Sequence, residues 1–527
     1  MSTTVSEKAS TRSRVSLRAD LWRRGLLALC IVALFAIAVW MYQHTLNVPF
    51  DRDGYDEGVY WQTLRAMSAG NTLYSPTFYS QPPAFLLSIY PTYVLFGQTL
   101  GSARLGIAVV GLIGLLGALL LGKALRGSIA GLIGLALLIL NPAYLLASQT
   151  IEAEGPQVAF SMLAIAFAYL WWERPQGKRG LCYASLCTLT LALSIFCKLF
   201  GLAELAPIGL LVLAHCWRVI QQTRKANNEA EQQTVQSTNV RRLAPLISLI
   251  LGCAVFLIAI ILILAPFAGV FQSFWSEVIT FHTTAIKVSS TTGNTRTIRD
   301  FLLQNALSYT ALYGTIVALW RRDWRVVPLL VWLLALIYLL LQQAPLFAHH
   351  LVVLVPSLIG LSIMGFGPFK GSWRNITRWS YATSAICLML VLFTLFTNVR
   401  ADRAYYLRIN KQADSNSTRV LQQAAHDLQT VTTPQQLVVT DGQFVAALAD
   451  RNTPPELVDT SNVRIQTGSV TTQQVIQLAS QPRVQAILFY TGRFQNLPGF
   501  SDWVKQHFQR THTYGGGQEL WVKMNGA

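Results

Sequence analysis

The chain has 527 residues, of which 52% are hydrophobic and only 12% are charged, and its formal net charge at pH 7 is +17. Because soluble proteins carry roughly 25% charged residues, this composition excludes an ordinary soluble domain and predicts a membrane protein. Most basic residues flank apolar runs, so the positive charge indicates membrane topology and not a nucleic-acid partner.

Eleven apolar runs approach the roughly 20 residues that a helix needs to cross a bilayer. They lie near 25–43, 104–123, 127–147, 157–172, 181–197, 199–217, 245–269, 301–320, 327–343, 350–368 and 379–398. The sequence therefore predicts an α-helical polytopic membrane protein with about 11 transmembrane helices. We assign residues 24–400 to this transmembrane domain.

The positions of lysine and arginine predict the orientation. Five arginines precede the first run, and every second loop after it is basic, whereas the loops between them hold few positive residues. Cytoplasmic loops carry this excess of positive charge. We therefore expect a multi-pass protein of the cell membrane, with residues 1–23 as a disordered cytoplasmic tail and the C-terminal segment outside.

A long first outer loop, residues 44–103, follows the first apolar run. It opens with four carboxylates in seven residues, namely Asp51, Asp53, Asp56 and Glu57. Residues 60–67 are patterned as a short amphipathic helix with aromatic side chains suited to the lipid headgroup layer. Residues 84–96 are apolar but short for a span, which predicts an interfacial or re-entrant element. The loop therefore has structure of its own beside the membrane.

Beyond residue 400 the pattern changes to alternating helices and strands. Helices are predicted at 416–430, 442–449 and 472–480, and strands at 437–440, 485–490 and 519–522. This alternation predicts that residues 401–527 form an extracytoplasmic soluble α/β domain. Asp441, at the end of the first of these strands, is interpreted as the N-cap of the following helix.

Unusual polar residues near the ends of the apolar runs all fall on the predicted outer side. Charged groups at membrane depth are costly and usually mark a pathway or a site. Convergence of five outer loops on one face predicts an active site that opens outward. The candidates are Asp53, Asp56, Glu57, Glu154, Lys198, Arg296, His349 and His350.

Each candidate also has an interpretation without chemistry. Asp56 or Glu57 can serve the solubility of the loop. Glu154 can favour the dipole of the helix that it begins, and Lys198 can extend its ammonium to a lipid headgroup. The adjacent histidines can form an interfacial pair. Only their common placement on one face favours a site.

Several short motifs occur in the order of a known family. They are Asp56-Glu57-Gly58-Val59-Tyr60, Gly70-Asn71-Thr72-Leu73-Tyr74, Pro82-Pro83, Asn141-Pro142, Glu154-Gly155-Pro156, Cys197-Lys198-Leu199, and His349-His350 with Pro356. Over roughly residues 20–400 the chain resembles the type C glycosyltransferases that use polyprenyl-phosphate sugars, such as protein O-mannosyltransferases and the aminoarabinose transferase of lipid A. It departs from them at Gln81, where many relatives carry Lys or His, and at Glu154, where Asp is more common.

The resemblance implies a membrane glycosyltransferase, hexosyl or pentosyl, that moves a sugar from a polyprenyl-phosphate donor to an acceptor on the extracytoplasmic face. The lipid tail of the donor would lie among membrane lipids, and the acceptor would be a protein, lipid or glycan. Asp56 is the expected base, with Glu57 next. The expected ligands of the donor phosphate are Lys198, Arg296, His349 and His350.

Two further points stay open at the level of sequence. A divalent ion (Mg²⁺, Mn²⁺ or Zn²⁺) held by Asp56 and Glu154, with Asp53 in reserve, would stabilise the same charge. A base with no second nucleophile favours inversion at the anomeric carbon.

The alternative function is a polytopic transporter or flippase for a lipid-linked or small anionic substrate. A transporter predicts charges in the middle of spans and helices broken at the bilayer centre. In this chain the charges concentrate at the outer boundary. A non-catalytic anchor for the outer domain would leave the pattern of Asp56, Glu154 and Lys198 unexplained.

Overall fold

The computed structural model describes residues 3–52, 54–230, 239–367 and 378–524. Asp53, one of the predicted site residues, lies outside the described residues. Helices dominate the fold, and a single small sheet lies near the C-terminal end.

The α-helices of the described residues are α1 Thr3–Gln43, α2 Asp56–Ser68, α3 Ala84–Leu95, α4 Leu100–Arg126, α5 Ser128–Ile139, α6 Pro142–Ala147, α7 Glu154–Glu173, α8 Gly177–Cys197, α9 Leu205–Ala230, α10 Asn239–Leu264, α11 Phe271–Trp275, α12 Phe281–Val288, α13 Asn294–Gln304, α14 Ala306–Trp320, α15 Val326–Gln342, α16 Val355–Ile363, α17 Arg378–Ala413, α18 Asn416–Val431, α19 Gln443–Leu448, α20 Asn462–Gln466, α21 Thr472–Ala479 and α22 Phe500–His507. Short 3-10 segments cover Leu199–Glu204, Ala265–Val270, Ala348–Leu354, Pro455–Leu457 and Arg493–Asn496, and Ser276–Thr280 is a π-helical turn.

In the described parts of the chain, most of each predicted span is helical. Within the described residues, seven helical stretches are long and apolar enough to cross a membrane by length and composition. The remaining predicted spans correspond to shorter apolar helices, among them α5, α14 and α15. The run 127–147 is interrupted because the Asn141 side chain accepts a hydrogen bond from the backbone N–H of Tyr144 and caps α6. The predicted class, a polytopic helical membrane protein with a C-terminal α/β domain, is confirmed.

At two ends of the predicted spans the helices extend beyond the expected bounds. Helix α1 begins at Thr3, within the segment 1–23 that was expected to be a disordered tail. At the other end, α17 continues to Ala413, so the predicted start of the outer domain at residue 401 lies inside a helix.

The C-terminal domain contains a four-stranded sheet of β1 Leu437–Thr440, β2 Val484–Phe489, β3 Phe508–Gly515 and β4 Gln518–Lys523. The strand order is β1-β2-β4-β3, in which β1 and β2 are parallel and the other neighbours are antiparallel. Three of these strands were predicted to within one residue at each end. Strand β3 was missed because most of its residues are polar and exposed, so it lacks the apolar alternation of a half-buried strand.

Helix α2 packs against the C-terminal domain instead of lying in the headgroup layer. The Trp61 ring meets the Phe444 ring edge to face, with centroids 5.4 Å apart. Gln62 Nε2 donates to the carbonyl of Arg451 at 2.9 Å. A Cβ at Gly58 would lie 2.6 Å from the backbone nitrogen of Phe444, so only glycine permits this approach. The prediction of an interfacial helix at 60–67 is wrong, because protein and not lipid covers its apolar side chains.

Candidate active site

A cavity of about 600 Å³ lies where the first loop, the ends of membrane helices and the C-terminal domain meet. Asp56, the first residue of α2, and Tyr60, one turn later, line it. Lys198, His349 and His350 line the same cavity from two other parts of the chain. The structure therefore brings together four of the candidates that the sequence could place only on a common face.

Tyr60 adds a hydroxyl to the cavity. The sequence had predicted for Tyr60 only an aromatic side chain in the lipid headgroup layer. Burial raises the pKa of Tyr60 well above its usual value, and the negative charges of Asp56 and Glu154 act in the same direction. The phenol therefore stays protonated near neutral pH. It can donate a hydrogen bond in the cavity close to both carboxylates.

Glu154 is the centre of a buried cluster of nitrogen groups. Lys198 Nζ donates to Glu154 Oε1, and the Nε2 atoms of His350 and His349 lie 3.4 and 3.7 Å from the same oxygen. The two imidazole rings have centroids 4.5 Å apart. Lys198 ends α8 in an extended conformation, which turns the chain into the 3-10 segment that follows. This geometry puts one carboxylate behind several nitrogen donors that reach the cavity.

The same cluster has the donor types of a metal site. Ligand atoms of Glu154, His349 and His350 all lie within 4.8 Å of one another, and a carboxylate with two imidazoles is a donor set that zinc accepts. Two contacts oppose a metal. The Lys198 ammonium occupies Glu154 Oε1, and the backbone N–H of Phe347 donates to His350 Nδ1 at 3.3 Å. The second contact leaves the proton of neutral His350 on Nε2, the atom that a metal would need.

The residues of this triad differ from the metal ligands predicted from sequence. Glu154 is grouped with two histidines that were predicted to bind phosphate, and not with Asp56. As arranged, the residues do not fit a bound ion without displacement of Lys198 and a change of the His350 tautomer.

Glu57 occupies a different place from its neighbour Asp56. It is completely buried and is not among the residues that line the cavity. Arg104 Nε donates to its Oε1 at 2.8 Å and Arg104 Nη2 to its Oε2 at 2.6 Å. The backbone N–H groups of Arg52 and Ile151 also donate to it, at 3.0 and 3.1 Å. Burial by itself would raise the pKa of Glu57, but the adjacent Arg104 and Arg52 outweigh burial and lower it.

Arg296 does not reach the cavity. Its side chain is 81% exposed on α13, where Nε lies 3.6 Å from a carboxylate oxygen of Asp300. His282, in contrast, lines the cavity and holds its Nε2 at 2.8 Å from the carbonyl of Ser80. Gln81, the position of departure from the family, also lines the cavity.

Sequence reasoning missed the contribution of the C-terminal domain to this cavity. Asp459 and Arg493 line it. Tyr55 joins them to the first loop, since its hydroxyl accepts from the backbone N–H of Thr460 at 2.8 Å. No sequence signal was available for these contacts, because they join residues about 400 positions apart.

Part of the chain matches a known protein family. Residues 28–282, just under half of the chain, match the family described as dolichyl-phosphate-mannose-protein mannosyltransferase. No curated protein matches the chain.

The fold is shared with several solved structures. ArnT from Cupriavidus metallidurans bound to undecaprenyl phosphate aligns with a TM-score of 0.60 and 14% identity over 94% of this chain and 98% of that one. The archaeal oligosaccharyltransferase AglB from Archaeoglobus fulgidus, in complex with an inhibitory peptide and a dolichol-phosphate, aligns with a TM-score of 0.52 and 13% identity over 95% and 75%. The arabinofuranosyltransferase AftD from Mycobacteria aligns with a TM-score of 0.50 and 13% identity over 95% and 40%.

The predicted resemblance to type C glycosyltransferases is confirmed. The family match fits a membrane glycosyltransferase and does not support the alternative of a transporter or flippase, and the solved structures show the shared fold.

Proposed function

We propose, from the premise that the chain is a membrane glycosyltransferase of the type C fold, that it moves a sugar from a polyprenyl-phosphate donor to an acceptor hydroxyl. The observation that carries the proposal is that Asp56 and the cluster of Lys198 with its two histidines open into one cavity. Its volume of about 600 Å³ is within the range of about 300–1,000 Å³ typical of ligand pockets.

Lys198 and the two histidines are proposed to hold the donor phosphate. When the bond between the anomeric carbon and the phosphate oxygen breaks, its electron pair passes to the phosphate, which gains negative charge. An ammonium has three N–H donors, and Lys198 directs one to Glu154, so the others are available to the phosphate. The Nε2–H of His350 lies beside the Lys198 ammonium, since both groups approach the same oxygen of Glu154. Positive donors placed in advance where charge develops lower the barrier.

Asp56 is proposed to take the proton of the acceptor hydroxyl. In one displacement, the acceptor oxygen forms a bond to the anomeric carbon while the bond from that carbon to the phosphate oxygen breaks, and the phosphate leaves with the electron pair. Protonated Tyr60 can donate a hydrogen bond to the Asp56 carboxylate or to the attacking oxygen. Displacement by a single nucleophile inverts the configuration at the anomeric carbon.

Glu57 is proposed to position Asp56 and not to act as a second base. Its carboxylate is used by Arg104 and by two backbone N–H groups, and it starts the same helix as Asp56. The buried pair therefore fixes the first turn of α2 and the direction of the neighbouring carboxylate.

The proposed location of the reaction is the extracytoplasmic face of the cell membrane. The basic residues of alternate loops support a cytoplasmic N terminus, and the C-terminal domain would then lie outside. Hexose and pentose donors are both compatible with the cavity.

The test is a transfer assay on the purified full-length protein with labelled polyprenyl-phosphate hexoses and pentoses, using isolated cell-envelope fractions as acceptor. We expect labelled product with one donor class and an inverted anomeric configuration. Retention of configuration would contradict the single displacement. No transfer from any donor, combined with donor movement across proteoliposome membranes, would restore the transporter alternative.

A further inference from the structure

One wall of the cavity belongs to the C-terminal domain. Asp459, residues 461–463, Gln466 and Arg493 line it opposite the parts that come from the first loop and the membrane helices. The proposed donor chemistry uses none of these groups. Their position beside Asp56 raises the question of what they bind.

Arg493 is a cation that stacks on an aromatic ring and keeps an unsatisfied N–H. Its guanidinium carbon lies 3.5 Å from the centroid of the Tyr55 ring. Its Nε is buried without a hydrogen-bond partner. Arginine stays charged at all physiological pH values, and an unsatisfied buried N–H is costly. Arg493 lines the cavity, so a ligand bound there can contact the guanidinium.

Asp459 does not serve as that partner. Its Oδ1 accepts from the Ser461 backbone N–H at 2.8 Å and from the Tyr55 hydroxyl at 3.3 Å. These bonds, with the bond from the Thr460 N–H, hold the Tyr55 ring under the guanidinium. Because Tyr55 directly precedes Asp56, a group bound by Arg493 lies next to the proposed base.

The turn that carries Arg493 is itself fixed. Asp441 Oδ1 accepts from the backbone N–H groups of Tyr490 and Thr491 at 2.6 and 3.1 Å, and its Oδ2 accepts from that of Phe494 at 3.2 Å. Asp441 thus orders the segment after β2 instead of capping α19 as its sequence position suggested. A cation on such a segment is placed in advance of its ligand.

We infer that Arg493 binds an acidic group of the acceptor, a phosphate or a carboxylate, beside the hydroxyl that Asp56 deprotonates. This inference rests on the proposed function and adds the chemical class of the acceptor. The planar guanidinium matches both anions through paired hydrogen bonds. Lys198 and Arg493 then keep the donor phosphate and the acceptor anion on separate cations of one cavity.

The test is calorimetric titration of the full-length protein in detergent, saturated with undecaprenyl phosphate so that the donor site is filled. The probes are methyl phosphate, acetate and methylammonium. We expect either methyl phosphate or acetate to bind the wild type, and the anion that binds shows whether the acidic group of the acceptor is a phosphate or a carboxylate. Methylammonium should not bind. Arg493→Gln should weaken anion binding about tenfold or more, the effect of losing a charged hydrogen bond, and Arg493→Lys should restore part of it.

The control is Arg419→Gln, which removes an exposed arginine of α18 in the same domain. Anion binding that is absent in the wild type, unchanged in Arg493→Gln, or equally weakened in Arg419→Gln would overturn the inference. Melting temperatures show whether each variant is folded, and Arg493→Lys keeps the test valid if Arg493→Gln is not. Because this readout is binding without turnover, failure of the proposed catalytic function would appear separately, as unchanged transfer by Asp56→Asn.

Discussion

Two buried ion pairs near the proposed active site have similar composition and opposite character. In the pair of Glu57 and Arg104 both carboxylate oxygens accept from the guanidinium, and Arg104 also donates to the carbonyls of Leu46, Val48 and Phe50. In the pair of Glu154 and Lys198, one carboxylate oxygen faces an ammonium and two imidazoles. The ammonium and both imidazoles line the cavity. The first pair has its donors and acceptors used within the protein. The second presents nitrogen donors to a ligand.

The difference separates stability from chemistry. A buried charge pair with complete hydrogen bonding resists the loss of either partner, since the remaining charge is left without compensation. A cluster that opens to a cavity can exchange an internal contact for one with substrate. We therefore expect variants of the first pair to lose stability and variants of the second to lose turnover.

The largest effect on stability is expected for Glu57→Gln. Arg104 would lose its charged partner in a completely buried site, at a cost of about 3–5 kcal/mol in the free energy of unfolding. Turnover per folded molecule should fall far less than in Asp56→Asn, because Glu57 directs the neighbouring base and does not itself take the proton. The measurement pairs denaturant unfolding with transfer rates; a stable but inactive Glu57→Gln would move Glu57 into the chemistry.

Lys198→Met should lower the transfer rate by about 10²–10³-fold, the cost of losing a donor aimed at developing charge. Because Glu154 would be left without its cation, the double variant Lys198→Met with Glu154→Gln separates folding from function. It should regain stability and remain inactive. Lys287→Met, at an exposed lysine of α12, is the matched control. Activity in the double variant near that of wild type would remove Lys198 from the donor site.

A smaller effect is expected from pH. The pKa of Glu57 is lowered in the folded protein, so its stabilisation is complete above the unfolded value of about 4.3 and declines as pH falls through that value toward the folded pKa. The difference in melting temperature between wild type and Glu57→Gln should therefore narrow from pH 7 to pH 3.5. A difference that stays constant over this range would show that the charge of Glu57 is not what stabilises the loop.

The smallest effect is expected for Arg296→Gln. Its side chain is exposed, and exposed ion pairs contribute about 0–1 kcal/mol. Donor KM and the transfer rate should stay within about twofold of wild type. A tenfold rise in donor KM would return Arg296 to the phosphate site where the sequence had put it.

Sequence patterns anticipated the elements that depend on local composition. Span length and hydropathy located the helices, and charge asymmetry put Lys198 and the two histidines on one side of the membrane. The family resemblance ranked Asp56 before Glu57 as the base, but the buried ion pair of Glu57 could not be predicted, because it depends on Arg104 from another helix and on a backbone donor of a distant turn. The same reason hid Arg493, whose relation to Tyr55 exists only after the C-terminal domain has packed on α2.

The central claim is that, of two neighbouring carboxylates at the start of α2, Asp56 performs the chemistry. The most direct measurement compares transfer from labelled polyprenyl-phosphate sugars by wild type and Asp56→Asn, with melting temperatures recorded in parallel. We expect Asp56→Asn to lose about 10²–10⁴-fold in rate, the usual contribution of a general base, at an unchanged melting temperature. Equal turnover by the two proteins would contradict the claim and remove Asp56 from catalysis.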